Sequence, residues 1–84
     1  MSSPQKKAAD VNLKTIGRRI REIRGFDVTQ AQFGEVLGVA QATLSKYEKG
    51  QAPPTLDFLV RLKAYSGRSI DWIVTGEEAN KAGS

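Results

Sequence analysis

The sequence predicts an all-α domain of five short helices, and three observations lead there. Leu13, Ile16, Ile20 and Ile23 recur at spacings of three and four, the stripe of an amphipathic helix. Serine or threonine caps stand just before several apolar stretches, and glycines stand just after them, as at helix starts and stops. No segment carries a strand signal.

Helix one holds the Leu13 to Ile23 stripe with its arginines opposite, and Gly25 offers a stop. Helix two opens with the clearest start in the chain. Thr29 is an N-cap with Gln32 three residues on, a capping box, and Val28 can staple to Phe33. It is expected from Gln30 to about Leu37. Gly38 supplies a backbone able to take positive φ, Leu44 and Tyr47 give helix three its buried side, and Gly50 ends it. Pro53 and Pro54 forbid continuation, after which Thr55 caps helix four as far as Ser66, with Gly67 beyond. Ser69 caps a last helix through Ile70, Trp72, Ile73 and Val74, closed by Gly76. Helix four is apolar around nearly its whole circumference, with Leu56, Phe58, Leu59, Val60, Leu62 and Tyr65 relieved only by Asp57, Arg61 and Lys63. Such a helix is either central or half exposed for a partner; in a five-helix domain the central position is expected.

Residues 11–76 form the expected domain, between a small, polar tail of residues 1–10 and a similar one of residues 77–84. A chain of 84 residues buries only about 60% of its unfolded surface, so stability is modest and help from a second subunit is expected. With no cysteine and no histidine, neither disulfides nor the usual zinc spacing compensates, and no cofactor is implied. There is no apolar run near the roughly 18 residues of a membrane span and no signal segment, so a cytoplasmic protein is expected. Lys6, Lys7, Lys14, Arg18, Arg19, Arg21 and Arg24 face only Asp10 and Glu22 in residues 1–24, giving +5, and leave −1 for the rest of a chain of net charge +4. The basic end favours an anionic partner. Lys6 and Lys7 read as a solvated tail, with a minor-groove arm as the alternative.

The stretch from Gln30 to Lys49 carries the chemistry. Gly34 inside a helix costs about 1 kcal/mol relative to alanine, a cost that close packing of the following segment must recover. With Val39, Leu44 and Tyr47 inward, helical geometry puts Gln41, Ala42, Ser45, Lys46 and Lys49 on a shared outer face. Glu48, four residues from Leu44, falls at the core edge and requires a cation.

Together, TQAQFGEVLGVAQATLSKYEKGQAPPTLDFL and SIDWIVTGE resemble the lambda-repressor-like, XRE-type helix-turn-helix family of phage and bacterial transcriptional regulators. The match carries Thr29-Gln30, the Gly38 turn, Glu48 with Gly50, Pro54, Asp71-Trp72 and Thr75-Gly76-Glu77, and spans roughly Leu13 to Glu77. The resemblance implies a compact five-helix domain in which helices two and three form the helix-turn-helix, with helix three in the DNA major groove. Gln41, Ala42, Ser45 and Lys46 are then candidate base contacts. Gln41 can pair with adenine, Ala42 can meet a thymine methyl, Ser45 can donate or accept, and Lys46 suits guanine or a phosphate. Gln30, Thr43 and Lys49 are candidate phosphate contacts. The family's arginine partner for Glu48 falls on Arg24, and Ile70 and Trp72 are either core residues or part of a dimer interface.

Three positions depart from the family pattern. The Gly25-Phe26-Asp27-Val28 connection is one residue shorter than usual, Ala40 replaces a common Ser or Thr cap, and the second domain often found after this module does not follow. The chain is a self-sufficient regulator or the head of a longer one. The expected function is that of a sequence-specific regulator, bacterial or phage-encoded as the resemblance implies, binding double-stranded DNA as a homodimer on a palindromic operator and acting as a repressor. The competing reading is a protein-interaction module, such as an antitoxin or adaptor, binding a protein partner through helices four and five. An enzyme is disfavoured by the lack of histidine, cysteine, a glycine-rich phosphate loop or a clustered carboxylate pair.

Overall fold

The computed structural model describes residues 11–77. Its elements are α1 (Leu13–Arg24), α2 (Gln30–Leu37), α3 (Gln41–Lys49), α4 (Leu56–Ser66) and α5 (Ile70–Thr75), five helices and no strand among the described residues, as the sequence predicts. Lys6, Lys7 and all of the C-terminal tail after Glu77 lie outside them.

Local chemistry sets the boundaries. The Thr29 hydroxyl accepts from the Gln32 N–H at 3.1 Å, and the Gln32 side chain accepts from the Thr29 N–H at 2.9 Å. Thr55 and Ser69 cap α4 and α5 through the N–H groups of Phe58 and Trp72. Asn12, to which sequence reading gives no role, caps α1 by accepting from the N–H groups of Lys14 and Thr15. Ala40 makes no side-chain cap at α3.

Ile16 and Ile20 of α1, Phe33 and Leu37 of α2, Leu44 and Tyr47 of α3, Phe58, Leu59 and Leu62 of α4, and Ile73 of α5 form one buried core. Tyr47 packs against Phe58 with ring centroids 4.9 Å apart, and Phe33 meets Tyr65 edge-on at 5.2 Å.

The expected central position of α4 is not met. Phe58, Leu59 and Leu62 are buried, but Leu56 is 71% exposed and Val60 51%. The most intimate helix pair is instead α1 with α3, while α4 packs on α2 and α5. These neighbours cover one side of α4 and leave the Leu56–Val60 stripe facing outward.

Gly17 explains how α1 and α3 come so close. A Cβ there would lie 2.6 Å from the Tyr47 carbonyl oxygen and closer still to that of Glu48. Gly34 plays the corresponding part in α2, where a Cβ would lie 2.5 Å from the Val39 carbonyl oxygen. Alanine at Gly17 would gain about 1 kcal/mol of helix propensity at an exposed site. Here the obstructing atoms are backbone, and overpacking costs typically 1–3 kcal/mol. Gly17→Ala is therefore expected to destabilise the domain by about 2 kcal/mol and lower Tm by roughly 10 °C, read by circular-dichroism melting.

Candidate nucleic-acid interface

The candidate interface is built around α3. Leu44 and Tyr47 are buried, whereas Gln41, Ala42, Lys46 and Lys49 are exposed and Thr43 and Ser45 half-buried. At 100° per residue, Ala42 and Lys49 point most directly away from the core, Ser45 and Lys46 stand to either side of them, Gln41 and Glu48 lie nearer the core on the Ser45 side, and Thr43 lies nearer the core on the Lys46 side. The outer face therefore carries exposed Ala42, Lys46 and Lys49 with half-buried Ser45, flanked by exposed Gln41 at one edge and half-buried Thr43 at the other.

The turn into α3 is held by backbone. Gly38 adopts φ 72° and ψ 34°, and its N–H reaches the Glu35 and Gly34 carbonyls. The Val39 N–H donates to the Gly34 carbonyl at 2.8 Å. At the other end, Gly50 takes φ 75° and packs against the backbone of Lys14 on α1.

Behind α3 lies a polar knot. Arg24 donates through Nε to Glu48 Oε2 at 2.8 Å and through Nη2 to Oε1 at 3.0 Å. Its Nη1 donates to the Val28 carbonyl at 2.9 Å, so the short Gly25 to Val28 connection is itself tied to the knot. Gln30 Nε2 donates to Glu48 Oε1 at 2.9 Å, a bond absent from the sequence reading, which reserves that amide for phosphate. Gln30 and Glu48 are 18 residues apart, and no spacing rule links them. The side chains of Arg24 and Glu48 are only 16% and 4% exposed. Hydrogen bonding to Glu48 raises the Arg24 pKa above its ordinary value, burial opposes the rise, and the carboxylate's charge adds to it. A pKa raised on folding contributes stability that is complete below the ordinary arginine value and lost only above it. The contribution through Arg24 is thus constant across neutral pH.

Ile70 and Trp72 are both half-buried and packed against the core. The Arg68 guanidinium lies 3.6 Å from the Trp72 ring centroid, and Arg19 lies 6.0 Å from it. Arg19 also donates to the Ile73 carbonyl at 3.0 Å, which ties α5 to α1. Among the described residues no group of three or more His, Cys, Asp or Glu is placed to hold a metal ion, and no helix is long and apolar enough to cross a membrane.

Glu48→Ala would strand the Arg24 guanidinium and remove the acceptor for Gln30. The expected loss is about 3 kcal/mol, at the lower end for a broken buried pair because Arg24 keeps some access to water. Urea unfolding measures it, with Glu48→Gln losing less because its carbonyl oxygen still accepts.

A helix-turn-helix family model matches residues 18–73. An uncharacterized HTH-type transcriptional regulator of Haemophilus influenzae is 34% identical over 47 residues, covering 56% of this chain and 20% of that protein. The HTH-type transcriptional activator BcrR of Enterococcus faecalis is 31% identical over 61 residues, covering 71% and 30%. The chain thus spans less than a third of the length of these curated relatives. Among solved structures, the P22 c2 repressor in complex with a synthetic operator superposes with a TM-score of 0.67 at 28% identity, over 74% of this chain and 96% of that one. The solution structure of the DNA-binding domain of the P22 c2 repressor gives 0.65 at 29%, over 77% and 87%. The restriction-modification controller protein C.AhdI of Aeromonas hydrophila shares the fold, with a TM-score of 0.64 at 21% identity, over 73% and 94%. With the family model running from the middle of α1 into α5, the chain belongs to the XRE-type helix-turn-helix family of DNA-binding transcription regulators, on a lambda-repressor-like fold.

Proposed function

We propose that this chain reads double-stranded DNA in a sequence-specific way, laying α3 in the major groove and binding a palindromic operator as a cytoplasmic homodimer. The observation that carries the reading is the outer face of α3, where Gln41, Ala42 and Lys46 stand exposed beside Ser45 while Leu44 and Tyr47 anchor the helix from behind. These side chains offer distinct chemistry to base edges: a bidentate amide for adenine, a methyl group for thymine, a hydroxyl for either partner and an ammonium for guanine or phosphate. Lys49 adds a charge at the end of the helix. Gln30 has a second amide N–H beyond the one given to Glu48, and that group serves a phosphate at the start of α2. Thr43 serves the backbone on the opposite flank. Ile70 and Trp72 contribute to the two-fold interface. Repression by occupying promoter DNA is supported by likeness to the P22 c2 repressor, whose structure holds a synthetic operator.

A second reading rests on the exposed Leu56–Val60 stripe of α4, an apolar surface that suits a protein partner. Selection of bound duplexes from a random library, at near-physiological salt, separates the two. The expected result is a two-fold symmetric site for which Gln41→Ala and Lys46→Ala each relax the preference at one position by about 1–3 kcal/mol. Affinity should fall steeply with salt, and Lys49→Ala should reduce the logarithmic slope by about 1. A folded protein that enriches no sequence would set the DNA-reading proposal aside and bring the protein-partner reading forward.

A further inference from the structure

We infer that Arg61 of α4 is a positioning residue for the base-reading end of α3, acting on the turn without touching DNA. This rests on the reading of α3 as the recognition helix. Arg61 Nη1 donates to the Leu37 carbonyl at 3.1 Å, at the last residue of α2. Its Nε lies 3.2 Å from Asp57 Oδ2, one turn earlier on α4. The guanidinium covers Gly38 so closely that a Cβ at that position would collide with Nη1. Gly38 is required by the left-handed backbone at φ 72°, and its missing side chain leaves the place that the Arg61 guanidinium occupies.

The turn matters because α3 does little to fix its own start. Ala40 supplies no side-chain cap, so the direction in which Gln41 and Ala42 leave the turn depends on contacts made by Leu37, Gly38 and Val39. Leu37 is seated in the core with Val39 against it, and the N–H groups of Gly38 and Val39 are held by the Glu35 and Gly34 carbonyls of α2. Arg61 adds a contact reaching in from α4. A cation at the carboxyl end of α2 also complements the partial negative charge of that helix end. Asp57 holds the guanidinium plane in place, and Arg suits the role better than Lys because its planar fork can serve the carbonyl and the carboxylate at once.

Arg61 and Asp57 have side chains 49% and 74% exposed, so the clamp is worth little to global stability. Its effect is expected where small angular errors matter, in discrimination between DNA sequences. The test compares wild type, Arg61→Ala, Arg61→Lys and Asp57→Asn by equilibrium binding to the selected duplex and to a random-sequence duplex at one salt concentration, with melting curves alongside. Arg61→Ala is expected to weaken binding to the selected duplex about fivefold, the equivalent of one lost hydrogen bond, while the random duplex changes less than twofold. Arg61→Lys should recover part of the loss. Asp57→Asn should weaken selected binding in the wild-type background and have no such effect once Arg61 is absent. Equal loss on both duplexes would overturn the inference, because it would mean direct attraction to phosphate or general unfolding, and no loss on either would overturn it as well. If Arg61→Ala melts below the assay temperature, Arg61→Lys and Asp57→Asn decide by the same ratio. Failure of Gln41→Ala to weaken the selected duplex would count against the recognition-helix reading itself, which separates the two outcomes.

Discussion

The approach of α1 to the backbone of α3 at Gly17 is the constraint on which the rest of the structure depends. An isolated helix shorter than roughly a dozen residues is marginal in water, and α3 has 9 residues with only Leu44 and Tyr47 buried. Its position must come from outside. Gly17 lets α1 rest against the carbonyls of Tyr47 and Glu48, and the Gly50 terminus packs on Lys14 one turn earlier along α1. The two helices are thereby joined at the backbone, where side-chain rotamers cannot loosen the fit.

Once α1 lies this close, Glu48 cannot remain in solvent, and its charge must be met within the fold. A carboxylate only 4% exposed costs several kcal/mol if left alone. Arg24 and Gln30 between them supply three donors, and the third Arg24 nitrogen holds the Val28 carbonyl. One acidic group therefore fixes the end of α1, the loop after it, the start of α2 and the last turn of α3. The same arrangement settles how Gln30 stands at the candidate interface, with its nitrogen end turned towards Glu48.

Most of this fold is legible in the sequence because its boundaries follow local rules. Thr29, Thr55 and Ser69 act within three residues of themselves, and Gly38, Gly50, Gly67 and Gly76 take the left-handed backbone that only local geometry requires. The outer face of α3 follows from the helical repeat once Leu44 and Tyr47 are placed inward. What escapes is long-range. Gly17 looks like any helical glycine until α3 is laid across it, and Gln30 meets Glu48 only after the turn has folded back. Arg19 reads as one of the arginines opposite the α1 stripe, yet it holds the Ile73 carbonyl and, with Arg68, flanks Trp72. For α4, the nearly all-round apolar composition points to a central position. The choice falls to the edge because α1 and α3 take the central contact, and no residue within α4 records that.

A helix held from behind can leave its front chemically uncommitted. The contacts that seat α3 use the carbonyls of Tyr47 and Glu48, the Glu48 carboxylate, Gly50 and the Val39 carbonyl over Gly34, together with Leu44 and Tyr47 in the core. None of them involves the side chains of Gln41, Ala42 or Lys46. Those three positions therefore answer to helix propensity and to whatever they touch, and an exchange among ordinary helix formers there costs at most a few tenths of a kcal/mol. The physical division is between flanks of one short helix: one carries backbone and buried groups that cannot change without loss of the fold, and the other carries side chains whose identity the fold does not use.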